Sequence, residues 1–349
     1  MAKKKTKKSI KSKTEPKFVG KVDDSILNAD KLIELSLFED IGHDFINGDI
    51  TSLSIIPKTK KIKAQIRVKE HCVLCGIDLA QRVFDVYEKL SKINKKDKIK
   101  FNILRRDGSF MQKNEVIADI EGNAITILTC ERTILNFLSR LSGISTMTNR
   151  YVERLMMHKA QLLDTRKTIG AYRALEKYAV RVGGGSNHRK GLYDMFLIKD
   201  NHIDTAGSVS KAVEMAVKYR EDMLRKIKNA KINKSNKKQD DKIKNIKIEV
   251  EVESLKQLDE VLRLKNMPDI IMLDNLSYEE MEIAVDKIHK VCRLKRLHGT
   301  KKDIKIEASG SVRLENISEV AKCGVDFISV GNALTLGAKP IDFTMDVIE

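Results

Sequence analysis

No uninterrupted apolar run of about 18 residues occurs in the chain, so no membrane-spanning helix and no membrane partner are expected. The first residues are lysines with no apolar stretch behind them, and no secretory signal is expected. Cysteine is sparse: the five thiols are odd in number and scattered, which does not read as a disulfide framework. A reducing, cytoplasmic compartment is the expectation. Cys72 and Cys75 form a lone C-x-x-C without a second pair, inside an apolar strand-like run. They read as packed thiols rather than zinc ligands.

Acidic residues are too few to balance the basic ones, and the net charge is +17 over 349 residues. The excess is concentrated. Residues 1–21 carry nine lysines and one glutamate, and residues 225–247 carry ten Lys/Arg and two aspartates. The remainder is close to neutral. Both segments lack apolar periodicity and are nearly devoid of aromatic residues that could stack on bases, which argues against a nucleic-acid partner. They read as a disordered tail and a solvated insertion.

The length accommodates two domains. Residues 30–40 have helical spacing, and Gly48-Asp49-Ile50-Thr51-Ser52 reads as a turn. Residues 61–127 read mostly as short strands around one helix over 76–90, with a turn at Asp107-Gly108. A helix over 130–141 is followed, past Gly143, by a second helix to about 157. Thereafter short apolar runs alternate with helical stretches. Leu162-Leu163 ends at Asp164, the run 195–198 at Lys199, the run 270–273 at Asp274, and the run 327–330 at Gly331. With 246–252 and 304–306, six strands are expected in a parallel sheet with right-handed crossovers. Six rather than eight predicts an incomplete α/β barrel, with polar residues at the carboxyl ends of its strands.

The segment 164–202 places Arg166, Lys167, Arg173, Arg181, His188, Arg189 and Lys199 around Gly183-Gly184-Gly185. Arginine forks match carboxylates and phosphates, and lysine adds a point charge, so a pocket for a strongly anionic small molecule is expected. Glu251 and Asp274, on neighbouring strand ends, offer hard oxygens suited to Mg²⁺, directly or through water. Glu249 and Glu253 read as the solvent face of an alternating strand. Ser309-Gly310-Ser311 and Val330-Gly331-Asn332 each join a strand to a helical stretch, where backbone N–H groups can cradle phosphate.

These residues resemble the quinolinate phosphoribosyltransferase family over nearly everything from Leu32 to Asp346. The shared motifs include Glu39-Asp40-Ile41-Gly42, Glu131-Arg132-Thr133-Ile134, Asp164-Thr165-Arg166-Lys167-Thr168, Glu176-Lys177-Tyr178-Ala179, Asn187-His188-Arg189, Glu249-Val250-Glu251 and Leu273-Asp274-Asn275. The resemblance implies an N-terminal α/β sandwich domain over 22–140 and an open α/β barrel of the type II phosphoribosyltransferase kind over 141–339. A separate segment, 340–349, follows. It implies quinolinate and phosphoribosyl pyrophosphate as substrates, Mg²⁺ as cofactor, and a homodimer with shared active sites. Carried over by position, Arg166, His188 and Arg189 hold the quinolinate carboxylates, with Arg132 from the partner subunit. Thr165, Lys167 and Lys199 contact anionic groups of the substrates, and Glu251 and Asp274 face the ribose and its metal. Ser309, Gly310, Ser311, Val330, Gly331 and Asn332 receive the 5′-phosphate. The family's usual Thr-Pro-Gly after Arg-Lys-Thr is replaced by Ile169-Gly170-Ala171. Three other readings compete, one of them a non-enzymatic RNA-binding protein that uses the lysine-rich segments. Lys199 at a strand end has the placement of a Schiff-base lysine. Paralogues associated with molybdate uptake share the pattern, but the dense cation set favours quinolinate.

Overall fold

A computed structural model describes residues 29–230, 246–297 and 303–348. The tail 1–21 and most of the basic insertion lie outside the described residues. The chain forms two compact units, residues 1–145 with 340–349, and residues 146–339.

In the first unit, α1 (Asp30–Ile41) and α2 (Ile50–Ile55) precede β1 (Lys61–Val68) and the short β2 (Cys72–Val73). The expected turn at 48–52 is instead the start of α2: the Asp49 side chain accepts the Ser52 N–H at 3.0 Å and caps the helix. Then come α3 (Ile77–Leu90), β3 (Lys100–Ile103), β4 (Phe110–Met111) and β5 (Val116–Asn123). The turn at Asp107 serves α3 as well, because its carboxylate accepts N–H groups from Gly76 and Ile77 at the helix start. Residues 340–349 are not a separate segment. They supply β12 (Phe343–Val347), which pairs antiparallel with β1 and completes a sheet of order β12-β1-β5-β3. Cys72 and Cys75 are buried free thiols, and burial pushes Cys72 up to about 12, so packing rather than reactivity is their role.

The two helices expected around Gly143 are one, α4 (Ala124–Leu155). Gly143 and its neighbours Ser142, Ile144 and Ser145 are buried. A single interior glycine costs about 1 kcal/mol relative to alanine, which side-chain packing along such a helix offsets.

The second unit holds six parallel strands: β6 (Gln161–Leu163), β7 (Phe196–Ile198), β8 (Ile248–Val252), β9 (Ile270–Asp274), β10 (Lys305–Ser309) and β11 (Phe327–Ser329). Their order is β6-β11-β10-β9-β8-β7. First and last strands pair, each later strand pairs with the next, and only β6 and β7 are unpaired as neighbours. That is a barrel open at one seam, with an isolated bridge between Leu163 of β6 and Ser186. Among the described residues the connections carry α5 (Arg173–Val182), α6 (Asp200–Ala206), α7 (Val209–Ala230), α8 (Leu255–Leu262), α9 (Tyr278–Leu297) and α10 (Ile317–Lys322). Residues 225–230, read as part of a solvated insertion, are thus the last turns of α7.

Strand periodicity divides this unit into two faces. Ile248, Val250, Val252, Ile271, Leu273, Ile306, Ala308 and Ile328 enter an apolar cluster with Leu258, Val261, Ala284, Ile288 and Val320 from the helices. The alternate positions face the opposite way. They include Glu249, Glu251, Met272, Asp274, Glu307, Ser309 and Ser329. Register sets Glu251, Met272 and Glu307 side by side on adjacent strands, and pairs Asp274 with Ser309.

Candidate active site

Those alternate positions and the loops beyond them line a cavity of about 570 Å³, entirely within the second unit. Its wall contains Thr165, Arg166, Lys167, His188, Arg189, Lys199, Glu251, Asp274, Ser309, Gly310, Ser311, Val330, Gly331 and Asn332. All were expected from sequence. Arg132 was also expected; it lies on α4 in the first unit, outside this lining. Arg173 and Arg181 do not line it either. Arg173 donates to Thr168 Oγ1 and Lys190 O, and Arg181 to Asn187 Oδ1 at 2.6 Å, so both support loops.

The cations face one another. Arg189 is held below its usual value by burial and then by the neighbouring Arg166. Arg166 Nε is buried with no partner among the described residues. Arg189 Nη1 has a long bond to Met195 O at 3.4 Å, and like charges converging with so few acceptors are costly unless an anion joins them. Lys199 Nζ is in short contact with Glu251 Oε2. A charged, carboxylate-paired lysine is a poor Schiff-base nucleophile, which disfavours that reading.

The backbone at the mouth is shaped by close approach. Gly310 has φ +90°, and a Cβ there would lie 2.1 Å from Asn275 Oδ1 and 2.8 Å from Asn275 N. A Cβ on Gly331 would meet Lys167 Cδ at 2.8 Å and Thr165 Oγ1 at 3.0 Å. These two turns therefore admit only glycine without displacing their neighbours. Thr335 Oγ1 donates to Lys167 O at 2.5 Å, which ties the Arg166-Lys167 loop to the Gly331 turn.

Mg²⁺ fits the carboxylates at one side. Oxygens of Glu251, Glu253 and Asp274 lie within 4.8 Å of one another. Burial raises Glu251 above the usual carboxylate range; Lys199 opposes this, while Asp274 adds to it. Like charge close by, in a buried carboxylate, is a demand for cations that one lysine only partly meets. Glu253 is exposed and outside the cavity lining, as its solvent-face reading required.

Glu249 corrects the same reading. It is fully buried, because β8 is an interior strand covered on both faces. Below the cations it forms a trio with Glu307 and His188. His188 Nε2 lies 2.9 Å from Glu249 Oε2 and 3.5 Å from Glu307 Oε2, without the alignment of a good hydrogen bond. His188 Nδ1 accepts the Arg189 N–H at 2.7 Å. The ring proton is thereby assigned to Nε2, facing the carboxyl groups. Both nitrogens thus face protein, and the His188 ring lines the pocket wall. The trio has the donor types of a metal site. Its tautomer argues against one, since an Nε2-bound metal would require a proton on Nδ1. Burial pushes Glu249 up to about 7 and Glu307 well above the usual range, and it lowers His188. Burial thus favours the protonated carboxyls and the neutral imidazole.

Sequence reading missed Glu307, Asn275, Arg313 and Ser329 in the lining. Glu307 had a legible signal: it alternates with Ile306 and Ala308 in an apolar strand, two residues before Ser309.

A barrel open at one seam and cationic at its mouth suits anionic, phosphorylated ligands. Comparison with known proteins defines it further. The family model described as "Quinolinate phosphoribosyl transferase, N-terminal domain" matches residues 49–142, and that for the C-terminal domain matches 144–228 and 220–346. A probable nicotinate-nucleotide pyrophosphorylase [carboxylating] from Methanocaldococcus jannaschii is 40% identical over 323 residues, covering 91% of this chain and 96% of that protein. A Bacillus subtilis protein of the same description is 35% identical over 321 residues, covering 92% and 94%. The solved nicotinate-nucleotide pyrophosphorylase of Francisella tularensis superposes with a TM-score of 0.73 at 37% identity, covering 94% of this chain and 98% of that one. The chain belongs to the quinolinate phosphoribosyl transferase family.

Proposed function

We infer that the protein transfers the phosphoribosyl group of phosphoribosyl pyrophosphate to quinolinate, with loss of CO₂. The products are nicotinate mononucleotide and pyrophosphate, a step of NAD biosynthesis. The observation that carries this reading is the convergence of Arg166, Lys167, Arg189 and Lys199 on one cavity that also holds two glycine turns and the Glu251/Asp274 pair.

Each part has a task set by its chemistry. Quinolinate is a dianion, and Arg166 and Arg189 supply the forks for its carboxylates. Lys167 adds a charge between that subsite and the phosphate turn at Gly331. The turns Ser309-Gly310-Ser311 and Val330-Gly331-Asn332 take the 5′-phosphate. The quinolinate ring nitrogen then displaces pyrophosphate at the ribose anomeric carbon. Positive charge develops on the ribose, and Glu251 and Asp274 stabilise it. The same two carboxylates would hold Mg²⁺, which would supply charge neutralisation for the departing pyrophosphate. Loss of CO₂ leaves an electron pair on the ring carbon beside the ribosylated nitrogen, whose positive charge stabilises it until a proton is taken up.

We further propose a homodimer in which Arg132 of the partner subunit completes the dicarboxylate subsite, acting in the cytoplasm; the five buried free thiols suit a reducing compartment. The family resemblance supports the shared site. Purified protein supplied with quinolinate, phosphoribosyl pyrophosphate and Mg²⁺ should form nicotinate mononucleotide and pyrophosphate, and chelation of Mg²⁺ should stop it. No product under these conditions would overturn the reading. Arg132→Ala and Lys167→Ala homodimers should each be nearly inactive, and subunit exchange between them should restore part of the activity. Heterodimers that form without any recovery would exclude a shared site.

A further inference from the structure

Directly behind the cation loops lies an ion pair that the reaction does not use. Asp164 follows β6 and is 0% exposed; Lys177, on α5, is 3% exposed. Lys177 Nζ donates to Asp164 Oδ1 at 2.5 Å. Such a pair is a costly way to stabilise a fold, since desolvation cancels much of the attraction. Burial indeed raises Asp164 and lowers Lys177 against their mutual attraction. A packed apolar pair would hold the helix as well.

The remaining bonds of the pair show what it holds. Asp164 Oδ1 also accepts the His188 backbone N–H at 2.8 Å, and Lys177 Nζ donates to the His188 carbonyl at 3.1 Å. Both polar atoms of the His188 backbone are thus bonded to the two members of one buried ion pair. Asn187 strengthens the grip: its Nδ2 donates to Asp164 Oδ2 at 2.7 Å and to Lys177 O at 2.9 Å. The next residue is Arg189, whose N–H is fixed on His188 Nδ1. Past the backbone bridge at Ser186 the described loop has no regular ladder, so these side-chain bonds set the course of its next residues. The same helix steadies the other cation loop, because Glu176 Oε2 accepts the Ile169 N–H at 3.2 Å.

We propose that Asp164 and Lys177 are positioning residues for the dicarboxylate subsite: they clamp the His188 backbone so that Arg189 is presented to the cavity. This rests on the quinolinate reading above. The clamp bonds the loop that carries Arg189, and among the described residues neither Asp164 nor Lys177 hydrogen-bonds to the phosphate turns at Ser309–Ser311 and Gly331. Its removal should therefore separate the two substrates.

The test compares Lys177→Met and Asp164→Asn with the unmodified chain, after thermal melting has shown each to be folded. Affinity for quinolinate and for phosphoribosyl pyrophosphate is measured separately by calorimetry, and the KM values and kcat follow by assay. Quinolinate affinity should fall about ten- to a hundredfold, as expected for displacement of a binding group by an ångström or less. Affinity for phosphoribosyl pyrophosphate should stay within about threefold, and kcat should fall less than kcat/KM for quinolinate. If a stranded charge unfolds these variants, Asn187→Ala removes only the outer bonds and should give the same split at smaller size. Equal losses for both ligands, or no loss, in a folded variant would overturn the clamp. Turnover by the unmodified chain scores the functional reading separately, so failure of one is not mistaken for failure of the other.

Discussion

The mouth and the floor of the barrel cavity are built from the same strands on opposite electrostatic terms. At the mouth, Lys199 is half-exposed and in contact with Glu251, and glycine turns open to solvent-sized space. At the floor, Glu249 and Glu307 are fully buried beside His188, with no cation bonded to either. Charge at the mouth is available to substrate and metal. Charge at the floor is suppressed by burial, and protons take its place. The comparison teaches that an inward-facing carboxylate on a barrel strand has no fixed role: two residues along β8 separate Glu249 from Glu251.

The largest effects should come from the mouth. Asp274→Asn and Glu251→Gln keep shape and delete the negative charge proposed to face the ribose, so kcat should fall about a hundredfold or more with the fold intact. Steady-state kinetics at saturating substrates and Mg²⁺ check this. Turnover near that of the unmodified chain in both variants would return these carboxylates to a structural role.

At the floor, the effect should appear in stability. Glu249, at about 7, lies above its unfolded value of 4.5. Between those values the folded chain keeps a proton that the unfolded chain has released. Stability should therefore be complete below about pH 4.5 for this group, fall as pH rises toward 7, and level off above it. The total is on the order of 3 kcal/mol. Urea melts at pH 5 and pH 8 should show a smaller loss in Glu249→Gln than in the unmodified chain. An identical pH dependence in the two would place the proton elsewhere.

The smallest effect concerns the loop beside the mouth. Ala171 has φ +62°, where the family pattern has glycine. A left-handed alanine costs about 1–2 kcal/mol, offset in part by the greater chain entropy of glycine. Ala171→Gly should raise stability by up to about 1 kcal/mol, read as a melting temperature a few degrees higher. No gain would mean that the loop relaxes the strain.

Much of this site was legible in the sequence because its mouth consists of residues at strand ends, where an apolar run breaks off. Asp274, Lys199 and Gly331 stand out in that way. The floor was less legible. Glu249 has the spacing of a solvent-facing position, and alternation alone cannot say which side of a sheet is water; burial by helices on one face and a closed barrel on the other decides it. Asp164 and Lys177 were hidden for another reason. They belong to motifs crowded with better-known cations, and only coordinates reveal that they bond to the His188 backbone. The open seam between β6 and β7 depends on pairing, which a count of six strands could suggest but not locate.

The central claim is that the cavity is built for a ring bearing two carboxylates. Side-by-side measurement of kcat/KM for quinolinate and for nicotinate, each with phosphoribosyl pyrophosphate and Mg²⁺, tests it most directly. Nicotinate lacks one carboxylate and would leave a half-buried guanidinium group without its anion, so quinolinate should be preferred by at least about 10³-fold. Equal or better use of nicotinate would contradict the account.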